Sequence, residues 1–444
     1  MVSTFGSYLN MLALNLFVYQ ETGSAVGVAA FLAVRLGCGF LAGLGAGWVA
    51  ARLPRRAVLA GCHLVQAGTF AALAVVPQGV QLALLPVVAV LAGLLGTISA
   101  VVLRSSVPDL VGPERRVAAN GLLVTGRAVA TAAGFAAGGV LVGWLGYRAA
   151  FAIDAATFLA PAIVVLALPM PFGRPAGARL GGRSGARSGG RSGAWSGGRA
   201  AGRAEGWFGG RGGSGSGGRA AGRFAGRRAA LVALAGAPVA GVIVGVRAAD
   251  AFGSASHNVG LPVFATEVRP GDPAGFLGLF FSVWAAGLIV AHQGVRLLRR
   301  RIGERYDEPG RTERGFLAGT CLMSVGFVAA FLPLPVGGLL VAALVAGIAD
   351  GYTEITYSTR LQAEPEPARG YAFGFTAMAE NGGFGAGMLV AGGLIELTSP
   401  LWTAVVLHGA VILLTVGLAL RLRHRRAVPL APTSASASTS QGGS

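Results

Sequence analysis

"GAGWVAARLPRRAV", residues 45–58, passes from small and apolar residues into arginines at 52, 55 and 56 set around Pro54. Proline has no N–H and a fixed φ, so a helix ends at this point. The stretch is therefore either a membrane helix emerging into water or a soluble helix with a basic end. Composition decides between them. The chain is 53% hydrophobic and 12% charged, with a mean hydropathy of +0.64, whereas a soluble domain has roughly a quarter of its residues charged. Apolar runs of the roughly 20 residues needed to cross a bilayer recur along its length, and they lack the alternation of a transmembrane barrel. The stretch marks the end of a membrane helix.

Working outward, apolar runs set against turn and charge signals place spans near 2–20, 25–49, 56–77, 80–103, 117–143 and 148–169. A second set falls near 235–264, 274–298, 315–333, 336–359, 370–395 and 399–421. The first run has no basic leader and continues as a full span, so it is not read as a cleaved signal. Net charge is +18 and every basic residue is Arg. These arginines gather in alternate loops: Arg52/Arg55/Arg56, Arg104/Arg115/Arg116, the central linker, Arg296 to Arg314, Arg360/Arg369 and "RLRHRR" after the last span. The intervening loops are short and nearly free of Arg. By the positive-inside rule both termini are cytoplasmic, as an even number of spans requires, in a multi-pass protein of the inner (plasma) membrane.

Residues 171–230 are Gly, Ser, Ala and Arg in near-repeats such as "GGRSGARSGGRSG", with too little to bury and so expected to be disordered. They divide the chain into an N-terminal half, 1–170, and a C-terminal half, 231–424, followed by a polar tail at 425–444. Arg/Gly tracts with Trp195, Trp207 and Phe208 invite a nucleic-acid reading, but a basic tether beside an anionic leaflet needs no such partner. "GFAAGG" at 134–139 and "GFGAGM" at 383–388 hold equivalent places in the two halves, which favours parallel repeats. The fold class is an all-α polytopic membrane protein, with twelve transmembrane helices in two six-helix pseudo-repeat halves.

That layout resembles the major facilitator superfamily of secondary transporters. The superfamily's loop between its second and third spans has the form G-x-x-x-D-R-x-x-R-R. Here Gly47, Arg52, Arg55 and Arg56 fit, and Ala51 stands where the acid belongs. Exporters of the superfamily carry a glycine-rich motif in the fifth span, matched in part by Gly121, Ala130, Gly134, Gly138 and Gly139, with Phe135 in place of its proline. "TGSAVGVAAFLAVR", "VPDLVGPERRVAANGLL" and "AFAIDAATFLAP" are similar to the enterobactin-exporter and macrolide-efflux branch. The resemblance implies outward transport of a small molecule driven by proton exchange. It also implies that the missing acid of the loop would latch the outward-facing state, a role open here to Asp109 or Glu114.

An ion at the centre of a membrane helix costs ~2.5–3.5 kcal/mol on insertion scales, so each one is a functional candidate. Asp350 and Glu354 lie one turn apart, where two carboxylates oppose each other's ionisation, and this suits a proton-carrying site. Glu354 reads equally as a solvated pair with Arg360. Asp250 and Glu380 complete the proton-coupling candidates, Asp250 also being placed to pair with Arg247. Asn10, Asn15, Arg35, Arg127, His257, Asn258 and Asn381 are candidates for a substrate cavity, Arg35 having Glu380 as a candidate cross-bundle partner. The polar face of the first span, Ser3, Thr4, Ser7, Tyr8, Asn10 and Asn15, serves either a cavity or helix-to-helix bonds. Trp48, Trp144 and Trp402 sit where interfacial anchors do.

A Walker loop needs a Lys that this chain lacks, and neither a hydrolase elbow nor a zinc helix is visible. Cys38, Cys62 and Cys321 have no metal-type spacing. The expectation is a monomeric transporter, not an enzyme, without cofactor or metal, whose partners are a small-molecule substrate, protons and lipid. Its activity reads as proton-coupled efflux of a small hydrophobic or amphiphilic compound of drug, antibiotic or siderophore type. An importer or uniporter of the same fold, or a transport-inactive membrane scaffold, is the alternative.

Overall fold

The structure is a computed structural model that describes residues 2–22, 25–167, 238–306, 308, 310–366 and 368–427. Every described element is helical: α1 (Val2–Thr22), α2 (Ala25–Arg52), α3 (Arg55–Val75), α4 (Gln78–Val111), α7 (Pro238–Val268), α8 (Pro273–Ile302), α9 (Arg311–Ala329), α10 (Val336–Leu361), α11 (Ala368–Leu397) and α12 (Pro400–Ala427), with a long run, Arg116–Ala167, between α4 and α7. That run doubles back at Gly146, whose φ of 76° and ψ of 176° suit glycine alone. Its two arms are α5 (116–145) and α6 (147–167), completing twelve helices. The expected linker, 171–230, lies outside the described residues. α12 continues to Ala427, past the expected start of the tail at 425, and the rest of the tail is likewise outside.

Local chemistry sets the helix limits. α3 starts at the residue after Pro54, as the opening stretch requires. α8 begins with Asp272 as N-cap, its side chain accepting from Gly275 N at 2.9 Å, and Pro273 in the first turn. α4 ends at Val111, capped by Gly112 with φ 77°, eight residues beyond the expected end near 103. Arg104 is therefore inside a helix and not in a loop.

The packing repeats with a period of six helices. In the first half α1 packs on α5 and α6, α2 on α4, and α3 on α4 and α6; in the second, α7 packs on α11 and α12, α8 on α10, and α9 on α10 and α12. The halves meet through α2 on α11 and α5 on α8, and through α4 on α11 and α5 on α10, pairs that exchange under the same repeat. Two aromatic cores, around Phe17, Phe70 and Phe151 and around Phe276, Phe280 and Phe331, lie inside the separate halves. A third cluster, including Ala46, Val101, Val165, Val246, Leu361 and Phe373, joins the halves at the end where α6 finishes and α7 starts. This linker end is closed.

Eight described helices are long and apolar enough to cross a membrane, and large apolar side chains such as Leu389, Leu397 and Leu413 lie exposed on the outside. In water that would be a liability; against lipid it is the required surface. Trp144 and Trp402 are exposed as anchors would be, whereas Trp48 packs on Tyr371 and Phe375. Glycines let α2 and α11 approach closely. A Cβ on Gly47 would lie 2.6 Å from Tyr371 Cα, and one on Gly43 2.6 Å from Met378 N. Gly134 admits the α1 backbone at Phe5, and Gly121 admits His292. The surroundings of Gly138 and Gly139 lie outside the described residues.

Candidate transport site between the halves

The ionisable groups scattered through the spans converge. Arg247 on α7 reaches Asp250 at 2.9 Å, Glu354 on α10 at 3.2 Å and Glu380 on α11 at 2.7 Å. Glu354 also takes Arg104 from α4 at 2.7 Å and lies 4.0 Å from Arg127 on α5. Tyr357 fills the space beneath: Arg104 donates to its hydroxyl, and the Arg247 guanidinium lies 4.5 Å from its ring centroid. Glu354 is 4% exposed, and it joins the halves because Arg104 and Arg127 belong to the first and Arg247 to the second.

Two expectations are corrected here. Glu354 does not pair with Arg360, which reaches Glu364 at 2.8 Å and Glu313 at 3.9 Å instead. Glu380 is not the partner of Arg35 but of Arg247.

A cavity of about 380 Å³ opens beside this network, lined by Arg127, Arg247, Asp250, Asp350, Glu380 and Asn381 among its polar groups. Trp284, Phe327 and Phe384 supply its apolar wall. Asp350 makes no hydrogen bond or ion pair through its side chain among the described residues. The cluster thus sets the carboxyls of Asp250, Asp350, Glu354 and Glu380 against the arginines 104, 127 and 247, one acid more than there are bases, and Asp350 is the one without a partner.

Of the other cavity candidates, His257 lines the same space and stacks on Phe327 with ring centroids 3.7 Å apart. Asn258 does not line it; its amide donates to Ser254 O on the exposed side of α7. Asn10 and Arg35 lie in a second cavity, in the first half, with Ser3, Thr4, Ser7 and Tyr8. The polar face of α1 lines a cavity and also makes a helix-to-helix bond, from Asn10 to Asp154 of α6 at 2.6 Å. The side chain of Asn15 lies outside the described residues.

At the linker end, Arg55 is buried while Arg52 and Arg56 are exposed, Arg56 donating to the Leu166 carbonyl. Arg55 pairs with Asp109 of its own half and with Glu366 of the other. Arg369, in the first turn of α11, reaches Asp109 at 3.0 Å and Glu366 at 3.1 Å. Two arginines and two acids, one of each from each half, form a closed square. Ala51 packs beside Tyr371 in α11, so the missing acid leaves an apolar contact, and Asp109 takes Arg55. Among the described residues Glu114 offers only its backbone carbonyl, to Arg299 at 3.0 Å.

Arg104 and Tyr357 escaped the sequence reading. Arg104 looked like a loop residue because apolarity falls off near 103, yet the true helix stop, Gly112, was legible nine residues on. Nothing local marks Tyr357.

The family model of the Major Facilitator Superfamily matches residues 1–362. A solved structure, that of the human organic anion transporter MFSD10 (TETRAN), is similar with a TM-score of 0.59 at 15% sequence identity, over 94% of this chain and 98% of that one. No curated protein matches the sequence. The likeness in structure carries the fold, and the family match covers most of the chain. Twelve helices in two repeats, lipid-facing outside and charged between the halves, are what that match predicts, and this chain belongs to the major facilitator superfamily, a family of membrane transporters.

Proposed function

We propose that the protein is a proton-coupled exporter of a small hydrophobic or amphiphilic compound, working by alternating access of the cavity between its halves. The observation that carries this reading is Asp350: a carboxyl on the cavity wall, inside the bilayer, with no hydrogen bond or ion pair among the described residues and beside a network one acid in excess. Such a group is neutral when protonated and attracts Arg127 or Arg247 when not, so losing its proton rearranges the ties between the halves. Substrate and proton then compete for the same arginines. An apolar body fits against Trp284, Phe327 and Phe384. An anionic head group would suit the two arginines, and the transporter of similar fold carries organic anions. The outward direction rests on the resemblance to the enterobactin-exporter and macrolide-efflux branch.

In this reading the linker end is cytoplasmic, the protein sits as a monomer in the inner membrane, and the square of Arg55, Asp109, Glu366 and Arg369 is the latch of the outward-facing state. The test is transport by the full chain in proteoliposomes, with fluorescent amphiphiles of either charge and an imposed pH gradient. Asp350→Asn should keep substrate exchange without a gradient and lose pH-driven accumulation. Accumulation that stays pH-driven in that variant refutes the assignment.

A further inference from the structure

The first half holds an acid that the mechanism above does not use. Asp154 on α6 is 0% exposed. It accepts from Asn10 Nδ2 at 2.6 Å and lies 3.2 Å from Thr157 Oγ1. Both partners are neutral, and no ion pair to Asp154 exists among the described residues. α1 lies directly on the carboxyl: a Cβ on Gly6 would overlap Asp154 Oδ1 and Thr157 Oγ1. The titratable and charged groups around the adjoining cavity of about 350 Å³ are Tyr8 on α1, Arg35 on α2 and His63 on α3. Arg35 forms no ion pair among the described residues. This cavity shares no lining residue with the one beside Asp350, and a third, of about 340 Å³, lies between them, sharing His63 with the former and Arg127 with the latter.

The neighbours are suited to both charge states of the acid. The Thr157 hydroxyl can donate either to Asp154 Oδ1 at 3.2 Å or to the Asp154 backbone carbonyl at 2.8 Å; with its hydrogen on the carbonyl, the Thr157 oxygen is free to accept from a protonated carboxyl. Asn10 Oδ1 is buried and has no hydrogen-bond partner. Turning the amide over would present that oxygen to an acid O–H, just as Nδ2 now serves a carboxylate. An amide that donates to the ion and accepts from the acid lowers the cost of either state. A purely structural clasp would need only one.

We propose that Asp154, with Asn10 and Thr157, is a second proton-binding site, separate from Asp350 and lying in the N-terminal half. Protons arrive through the cavity that His63 and Arg35 line, and binding neutralises the carboxyl between α1 and α6. Only the use of this proton in transport rests on the proton-coupled reading; the binding itself does not.

The test is pH-difference infrared spectroscopy of the full-length protein in liposomes, which reads the C=O stretch of protonated carboxyls. Asp154→Asn should remove one band, and Asp350→Asn a different one. Asn10→Leu should move the Asp154 band to higher frequency, because the acid O–H loses the amide oxygen that accepts from it, and Asn10→Gln should move it less. No band lost in folded Asp154→Asn overturns the proposal. If that variant does not fold, an unchanged spectrum in Asn10→Leu overturns it equally. A band lost in Asp154→Asn but none in Asp350→Asn would sink the Asp350 assignment and leave this one standing.

Discussion

Neutralising Asp109 should open the linker end. In the square of charges, the Arg55 to Asp109 and Arg369 to Glu366 contacts lie within one half and survive separation of the halves. Only Arg55 to Glu366 and Arg369 to Asp109 cross between them. Asp109→Asn removes one crossing contact and leaves two arginines, 4% and 7% exposed at their side chains, sharing a single acid. An exposed pair is worth up to ~1 kcal/mol, and breaking a fully buried one costs ~3–5 kcal/mol. Asp109 is 25% exposed, so the closed linker end should lose about 2 kcal/mol, between those limits. That is a shift of about 30-fold in the ratio of closed to open forms, at tenfold per ~1.4 kcal/mol. Pulsed electron paramagnetic resonance between spin labels at two exposed linker-end positions, one in each half, measures that ratio in liposomes. Arg369→Gln should shift it in the same direction, and the double variant should shift it by less than the sum. A distance distribution in Asp109→Asn within about twofold of the parent's populations would refute the argument, since an exposed pair of that strength is all that could then be present.

Ala51→Asp would place a carboxylate near the first turn of α11, at the positive end of that helix dipole, and should favour the closed linker end by ~0.3–1 kcal/mol; protection of a single linker-end cysteine from a water-soluble thiol reagent reports it. Gly47→Ala drives a methyl into the α11 backbone and should cost ~1–3 kcal/mol, lowering the thermal midpoint in detergent. Gly45→Ala, with nothing within 4 Å of its Cβ, should hold or raise that midpoint. Glu354→Gln leaves Arg104, 26% exposed, without its acid and should destabilise the fold by about 2 kcal/mol, again between the exposed and buried limits, most of which Arg104→Gln in the same chain should recover, as read by the same melts.

Much of the site was legible because placing charge in a membrane is costly: Arg127, Arg247, Asp250, Asp350, Glu354 and Glu380 stood out by position, and all belong to the network or cavity between the halves. The pairing was less legible. Glu354 has Arg360 six residues away but bonds to Arg104, 250 residues distant, and Glu380 passes over Arg35 for Arg247. Charges near in sequence were favoured in the reading, whereas a buried acid is paired by whichever helix faces it. Asp154 and its partner Asn10 are likewise 144 residues apart, on the adjoining helices α6 and α1.

Apolar run length and arginine asymmetry depend on partition between lipid and water, a property of each segment alone, so they settled the membrane, the twelve helices and the two halves without any contact being known. "GAGWVAARLPRRAV" belongs to that part: its glycine spacing, its proline and its arginines place a helix end at a basic surface. Which arginine is buried in the charge square, that Asp109 is the acid of its own half that meets it, and that Asp350 makes no hydrogen bond or ion pair among the described residues were decided only by tertiary structure. Those outcomes depend on the distances between helices brought together from both halves, and charges in a low-dielectric interior pair by distance in space, whatever their separation along the chain.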